Sequence, residues 1–161
     1  MSSWSEVVVA APELAADVQA RFDAYGLALL ATLRRDGAPR ISGIEPLFAL
    51  GELWLGMMPG SRKALDLLND GRFALHSATT DKQVTDGDAK VSGLAVLVEG
   101  EADMARFREA FASSAGAPPP DGPFHLFRAE VREMSLVRPG GDHLDIDWWR
   151  SDTGVKHVDR K

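Results

Sequence analysis

Short apolar runs separated by tight-turn signals fill residues 27–58, and this pattern constrains the fold more than any other feature of the chain. The runs cover residues 27–34, 39–50 and 53–58, with Asp36-Gly37 and Gly51-Glu52 between them. Asp-Gly favours hairpin turns because both residues tolerate positive φ. The first run is too short for a typical helix. The stretch therefore predicts a meander of three antiparallel strands.

The remaining pattern adds short helices between further strands. Apolar residues at Leu14, Val18 and Phe22 repeat with helical spacing, so a helix is predicted from Pro12 to about Gly26. Helices are also predicted over residues 62–68 and 104–111, and strands over residues 72–77, 90–102, 124–137 and 144–150. Because the helices are few and lie at crossovers, this order predicts a mainly β, α+β chain built as an antiparallel barrel with short flanking helices.

The length of 161 residues favours one domain spanning residues 1–161. The Pro- and Gly-rich stretch over residues 115–123 is too short for a domain linker. We expect residues 1–11 and 151–161 to be loosely structured ends.

Charge and composition exclude several classes of function. The chain carries 18 Lys and Arg against 24 Asp and Glu, and this net charge of -6 disfavours binding to nucleic acid. It has no cysteine, which removes disulfides, thiol nucleophiles and Cys-ligated metals. We find no signal peptide and no apolar stretch long enough to span a membrane, so we expect a cytoplasmic protein that does not bind membranes.

Gly60-Ser61-Arg62-Lys63 is the strongest local motif, because it leads from a predicted strand into a predicted helix. The start of a helix offers unpaired N–H groups and a partial positive charge. A hydroxyl, a guanidinium and an ammonium beside them make a phosphate receptor. A helix capped by Ser61, with two solvated cations, explains the same residues, and the motif alone leaves both interpretations open.

The histidines and acidic residues do not form a recognisable metal motif. His76 either points into the barrel mouth or serves as a hydrogen-bonded structural residue, and His125 is equally ambiguous. His143 and His157 are expected to be solvated. An acidic cluster over residues 142–147 favours a solvated face, since hard-cation loops carry more oxygen ligands. We therefore predict no metal site. Gly-x-Ser-x-Gly and Gly-x-Gly-x-x-Gly motifs are both absent.

Four segments taken in order, residues 32–40, 53–55, 60–67 and 70–75, resemble the pyridoxamine 5′-phosphate oxidase superfamily. The resemblance covers residues 27–102 well and the remainder in outline. It implies a split β-barrel that binds FMN, although some relatives bind a deazaflavin coenzyme (F-420). It also implies a homodimer whose ligand site lies at the subunit interface.

The resemblance assigns cofactor contacts residue by residue. The implied contacts are Arg40, Ile41, Ser42 and Gly43 on the second strand, and Ser61, Arg62 and Lys63 around the flavin phosphate. Trp148 or Trp149, together with Arg150, resembles the element that closes the pocket from the partner subunit.

The chain departs from the family pattern at three positions. Glu45 stands where the oxidases carry a basic residue, and Met57 and Met58 stand where relatives often carry small polar donors. We place both methionines at the cofactor but assign no catalytic residue, because no general acid or base stands out. Three interpretations remain: an FMN-dependent oxidoreductase acting on a small molecule, a non-catalytic module that binds FMN, deazaflavin or haem, and a structural dimer whose site has decayed.

Overall fold

A computed structural model describes residues 1–161 and contains four helices and nine strands. The helices are α1 (Trp4–Ala10), α2 (Pro12–Asp23), α3 (Arg62–Asn69) and α4 (Glu101–Ala115). The strands are β1 (Ala28–Leu33), β2 (Pro39–Ile44), β3 (Leu47–Ala49), β4 (Glu52–Met57), β5 (Arg72–Ser77), β6 (Asp88–Leu97), β7 (His125–Pro139), β8 (Leu144–Arg150) and β9 (Gly154–Arg160). None of the helices combines the length and the apolar character needed to cross a bilayer.

All paired strands are antiparallel and form one sheet in the order β2-β1-β5-β6-β7-β4-β3, with β8 and β9 continuing from β7. Strands β2 and β3 lie at opposite ends of the main path, yet only Glu45 and Pro46 separate them in the chain. Three residue steps span at most about 11 Å. The sheet must therefore curl until its ends nearly meet without pairing, which is the geometry of a split barrel. The predicted mainly β, α+β class is confirmed.

The predicted single strand over residues 39–50 is two strands. Strand β2 ends at Ile44 and β3 begins at Leu47. Pro46 has no N–H to contribute to a ladder, so the chain leaves one edge of the sheet there and joins the other. The Asp36-Gly37 turn is confirmed, because Gly37 has a φ of 83° and its N–H donates to the carbonyl of Arg34 over 2.8 Å.

Helix α2 fills the barrel as its apolar spacing predicts. It begins at Pro12, and the side chains of Leu14, Val18 and Phe22 are buried against the sheet. Burying side chains of this size stabilises the fold by roughly 1.5–3 kcal/mol each. The helix thereby packs against β6, β7 and β8.

Both chain ends are regular, in contrast to the loose ends expected from the sequence. Helix α1 begins with a capping box in which Ser3 and Glu6 exchange hydrogen bonds, and the Trp4 side chain is buried. At the other end, β9 pairs with β8 along seven residues. Neither element carries a strong apolar pattern, because α1 is short and every residue of β9 is exposed.

The longest strand pair contains an irregularity at Gly93. The register between β6 and β7 shifts between Ser92 and Gly93. A Cβ atom at Gly93 would collide with the carbonyl oxygen of Glu130 on β7. Only a glycine lets the two backbones approach this closely.

Candidate functional site

The N-terminus of α3 presents unsatisfied donors. The backbone N–H groups of Arg62, Lys63 and Ala64 have no acceptor, and the first N–H bonded in the helix is that of Leu65, which donates to the Ser61 carbonyl over 3.0 Å. The Ser61 hydroxyl oxygen is buried and also lacks a partner. Ser61 thus occupies the predicted cap position without capping the helix. The arrangement is a set of donors that converge without an acceptor, as in anion sites at helix ends.

The two cations of the motif differ in their surroundings. Arg62 is exposed and forms no ion pair with any carboxylate. Lys63 reaches across to β2, where its Nζ donates to the carbonyl oxygen of Gly43 over 2.6 Å. This contact fastens the start of α3 to the edge strand. The hydrogen-bond donors at the start of α3 therefore lie close to the backbone of residues 41–43.

Arg40 is held by a carboxylate of α3. Its Nε lies 2.6 Å from Asp66 Oδ2, and the Thr32 hydroxyl donates to the same oxygen over 2.8 Å. Only 8% of the Asp66 side chain and 23% of the Arg40 side chain are exposed. Burial raises the pKa of the Asp66 carboxyl, but the hydrogen bonds from Arg40 and Thr32 outweigh burial and leave this pKa lowered. The guanidinium is thereby fixed between β2 and α3.

Replacing Asp66 with Asn should destabilise the protein in a pH-dependent manner. A carboxyl whose pKa is lowered by folding contributes stability above its unfolded pKa, and this contribution disappears as the pH falls through the folded pKa. We expect Asp66→Asn to cost about 1–3 kcal/mol near pH 7, because Arg40 loses a charged partner. The cost should shrink as the pH falls through the lowered folded-state pKa of Asp66, where the carboxyl becomes protonated in the folded protein. Urea unfolding of both proteins at each pH measures the difference; an equal cost at both pH values would contradict the ion pair.

The outer face of the sheet carries a concave, partly apolar surface. Ile41 is 71% exposed and Leu29 is 50% exposed, and both line a cavity of about 500 Å³. The polar side of the cavity includes His76, Lys90 and Glu133. Ile41 thus faces the cavity, whereas Arg40 lies on the opposite face of β2 and contacts α3.

Strand alternation decides which residues of the C-terminal Trp-Trp-Arg element face the cavity. Trp149 is 4% exposed and belongs to the core, whereas Trp148 is half-buried on the outer face beside its cross-strand neighbour Ser135. Arg150 lies on the same outer face, with its Nε 3.5 Å from a carboxylate oxygen of Glu133. Trp148 and Arg150 are therefore the members of this element that border the cavity, since Ser135 and Glu133 line it.

The methionine at the end of β4 and the one in the following turn lie in different environments. Met57 is 6% exposed and lies in the hydrophobic core, so its side chain is withdrawn from any ligand surface. Met58 is 77% exposed and precedes the turn that leads into α3. Gly43 is exposed and Ser42 is half-buried on β2. Of the two methionines, only Met58 offers a side chain to a molecule at the helix end.

Sequence reasoning missed Thr32 and Asp66. Asp66 lies next to Leu67, among the buried positions of α3, and a carboxylate at such a position calls for a partner. That signal was visible in the sequence, but its partner Arg40 is 26 residues away and is identified only by the fold.

The curled antiparallel sheet and the donor-rich start of α3 define the class of small split-barrel proteins. The family model described as pyridoxamine 5′-phosphate oxidase matches residues 14–138, and the chain therefore belongs to the pyridoxamine 5′-phosphate oxidase family. The resemblance read from the sequence is confirmed. No curated protein matches the chain.

Solved structures share the fold at low sequence identity. PhzG from Burkholderia lata, in complex with tetrahydrophenazine-1-carboxylic acid, is 19% identical with a TM-score of 0.65, and the match covers 89% of this chain and 88% of that one. A pyridoxamine 5′-phosphate oxidase-related, FMN-binding protein from Nostoc punctiforme is 13% identical with a TM-score of 0.63, covering 91% and 94%. A heme-binding protein from Mycobacterium smegmatis is 18% identical with a TM-score of 0.55, covering 90% and 87%. At these identities the likeness establishes the fold.

Proposed function

We propose that this chain binds FMN, with the phosphate at the N-terminus of α3 and the flavin ring along β2. The observation that carries the proposal is the Ser61 hydroxyl, which is buried at the helix end without a partner. Unpaired buried polar groups are costly, so their presence points to a ligand that completes them. Membership of the family and the FMN-binding relative from Nostoc punctiforme support the choice of ligand.

The residues present fit a phosphate monoester. The N–H groups of residues 62–64, the Ser61 hydroxyl and the unpaired Arg62 guanidinium supply donors to several phosphate oxygens. Lys63 adds positive charge between the helix end and β2, although one of its N–H groups already binds Gly43. Glu45 is exposed at the end of β2 and contributes no donor.

The second part of the proposal is that the protein is an oxidoreductase acting on a small molecule. Bound FMN would supply the electron-transfer chemistry. The chain would bind and orient the flavin. Ile41 and Gly43 offer a flat edge to the ring, and Asp66 immobilises Arg40 on the opposite face of β2. The complex of PhzG with a small aromatic acid supports a substrate of similar size.

We further propose a homodimer, located in the cytoplasm, in which the exposed face around Ile41 and Leu29 meets its counterpart. Large apolar side chains exposed on a concave sheet face favour an interface. Trp148 and Arg150 border this face, so a partner subunit is within reach to supply both to the ligand site.

The test of FMN binding is an absorption spectrum of the purified protein before and after FMN is added, with free ligand removed by gel filtration. About one flavin per chain should be retained. Ser61→Ala should weaken binding by roughly tenfold, the value of one hydrogen bond to a charged group. Its unfolding midpoint without FMN should match or exceed that of the parent, since the hydroxyl has no partner to lose and its burial is costly. A protein that retains no FMN, or a Ser61→Ala variant with unaltered affinity, would refute this assignment.

Replacing Ile41 with Glu should break the dimer. A charge buried at a symmetric apolar contact meets its own copy, which costs several kcal/mol. Light scattering coupled to gel filtration should show the 17.4 kDa monomer for this variant and twice that mass for the parent. Val9→Glu is the matched control, because Val9 is 85% exposed on α1, away from the cavity. Two proteins of equal mass would contradict the proposed interface.

The second candidate is a non-catalytic module that binds haem or deazaflavin. His76 favours haem, because it lines the cavity while its Nδ1 lies 2.7 Å from the Ser77 carbonyl, which directs Nε2 away from the backbone, to a position 3.7 Å from Asp88 Oδ2. The heme-binding relative from Mycobacterium smegmatis supports this candidate. An intense haem band that is retained by the parent and lost in His76→Ala, without FMN retention, would replace the flavin proposal.

A further inference from the structure

The β8–β9 ribbon gathers imidazoles and carboxylates on one face. Asp145 lies directly opposite Asp159, and Asp147 lies directly opposite His157. Directly opposed residues share a face of the sheet, and so do residues two apart on one strand. His143 reaches the same place from the turn before β8, where its Nε2 lies 3.0 Å from Asp145 Oδ1. The sequence did not reveal this set, because its partners lie on β9.

Three of the ligand atoms lie close enough together to approach one small metal ion. The group formed by His143, Asp145 and Asp159 places one ligand atom of each residue within 4.8 Å of the others. His143 Nε2 lies 3.8 Å from Asp159 Oδ1, and His157 Nε2 lies 2.7 Å from the same oxygen. Zinc bonds of about 2.0–2.2 Å in a tetrahedron put neighbouring ligands about 3.3 Å apart. The three side chains of this group can therefore approach one ion, and His157, which lies outside the group but contacts Asp159, would have to turn its ring toward that ion to become a fourth ligand.

The turn before β8 is shaped around these atoms. A Cβ at Gly140 would lie 2.5 Å from His143 Nε2 and 2.9 Å from Asp145 Oδ2. The φ of Gly140 lies outside the left-handed region, so its backbone does not require glycine. Glycine is required instead because a Cβ atom would occupy the space of the His143 imidazole and the Asp145 carboxylate. The N–H of Gly140 also donates to the carbonyl of His143 over 2.8 Å, which fixes the turn.

The charges of the cluster favour a cation. Arg138 pairs with Asp147 over 2.8 Å and Lys161 pairs with Asp142 over 3.4 Å, but no lysine or arginine pairs with Asp145 or Asp159. Like charges directly opposite each other on a sheet are destabilising. A cation bound between the opposed carboxylates of Asp145 and Asp159 would relieve this repulsion.

We propose that His143, Asp145, His157 and Asp159 bind one divalent transition-metal ion of the zinc class, which joins β9 to β8. Two imidazoles select this class, because calcium and magnesium take oxygen ligands. The role is structural. Strand β9 is exposed along its length and pairs only with β8, so a four-ligand link across both strands resists its detachment. The site is independent of the helix end that we assign to FMN.

The test is calorimetric titration of the metal-free, full-length protein with Zn²⁺ alone. We expect one ion per chain. His143→Asn and Asp159→Asn should each weaken binding by roughly tenfold or more. Gly140→Ala should also weaken binding although it removes no ligand, because its methyl group displaces His143. Glu99→Gln is the control with the same loss of charge as Asp159→Asn; Glu99 is exposed and makes no side-chain hydrogen bond or ion pair, so its affinity should equal that of the parent.

Co²⁺ provides a second measurement on the unaltered protein, which keeps the proposal testable if a variant fails to fold. Bound Co²⁺ should give the intense visible bands of four-coordinate cobalt, and amide exchange over residues 154–160 should slow when the ion binds. Binding that is equal in the parent and the three site variants would overturn the proposal. So would the weak spectrum of six-coordinate cobalt, or the absence of stoichiometric binding.

Discussion

Replacing both Arg62 and Lys63 with Ala should lower FMN affinity by about a hundredfold to ten-thousandfold. Each residue is assigned a charge-assisted hydrogen bond to the phosphate, worth about 1.5–3 kcal/mol, and every 1.4 kcal/mol is a factor of ten. Arg62 has no competing ion pair in the protein, so its replacement should lower the affinity for FMN and not the stability of the fold. Lys63 also holds the Gly43 carbonyl, so its loss loosens the contact between α3 and β2. Fluorescence titration with FMN measures the change.

A double variant of Lys82 and Arg106 to Ala is the matched control for this experiment. Both side chains are exposed and lie outside the helix end, on the loop before β6 and on α4, and their removal changes the net charge by the same amount. The affinity of the control should stay within about twofold of the parent, since distant surface charges are screened. Equal losses in the two double variants would mean that general charge, not the α3 site, attracts the flavin.

The second large effect is on stability: Gly93→Ala should destabilise the protein by about 3 kcal/mol or more. Its methyl group would collide with the backbone carbonyl of Glu130, and backbone yields less readily than a side chain. The collision lies in the middle of the β6–β7 ladder, the longest strand pair of the sheet. Relief therefore requires the two strands to separate or to shift register. Urea unfolding monitored by tryptophan fluorescence gives the free energy.

Gly43→Ala is the control for stability, because Gly43 is also a strand glycine with no atom within 4 Å of the added Cβ. Its stability should stay within about 1 kcal/mol of the parent. The ladder geometry at the register shift beside Gly93 would be contradicted if Gly93→Ala unfolded at the same urea concentration as Gly43→Ala.

Local signals in the sequence predicted the parts of the fold that depend on local chemistry. The Asp36-Gly37 turn, the Pro12 start of α2 and the buried stripe through Leu14, Val18 and Phe22 are properties of neighbouring residues. Hydrophobic periodicity reports such properties directly. The position of Ser61 before a helix was likewise visible, although only the structure reveals that its hydroxyl remains unpaired.

Features that depend on pairing across the sheet could not be predicted from local signals in the sequence. The ion pair between Arg40 and Asp66 joins residues far apart in the chain, and its existence depends on which face of β2 meets α3. The choice between Trp148 and Trp149 depends on the register of β8 against β7, and a shift of one residue would exchange them. Strand β9 escaped prediction because an exposed edge strand carries no apolar alternation.

The link formed by Glu45 and Pro46 has a consequence for how the sheet stays closed. In a fully paired barrel a hydrogen-bonded ladder joins the first and last strands, whereas here a covalent tether does so. The entropy of bringing two segments together grows with the length of the loop between them, and this loop is minimal. The tether thus keeps β2 and β3 adjacent although no ladder forms on the free edge of β2. A circular permutant opened between residues 45 and 46 would keep every ladder but would no longer hold β2 next to β3.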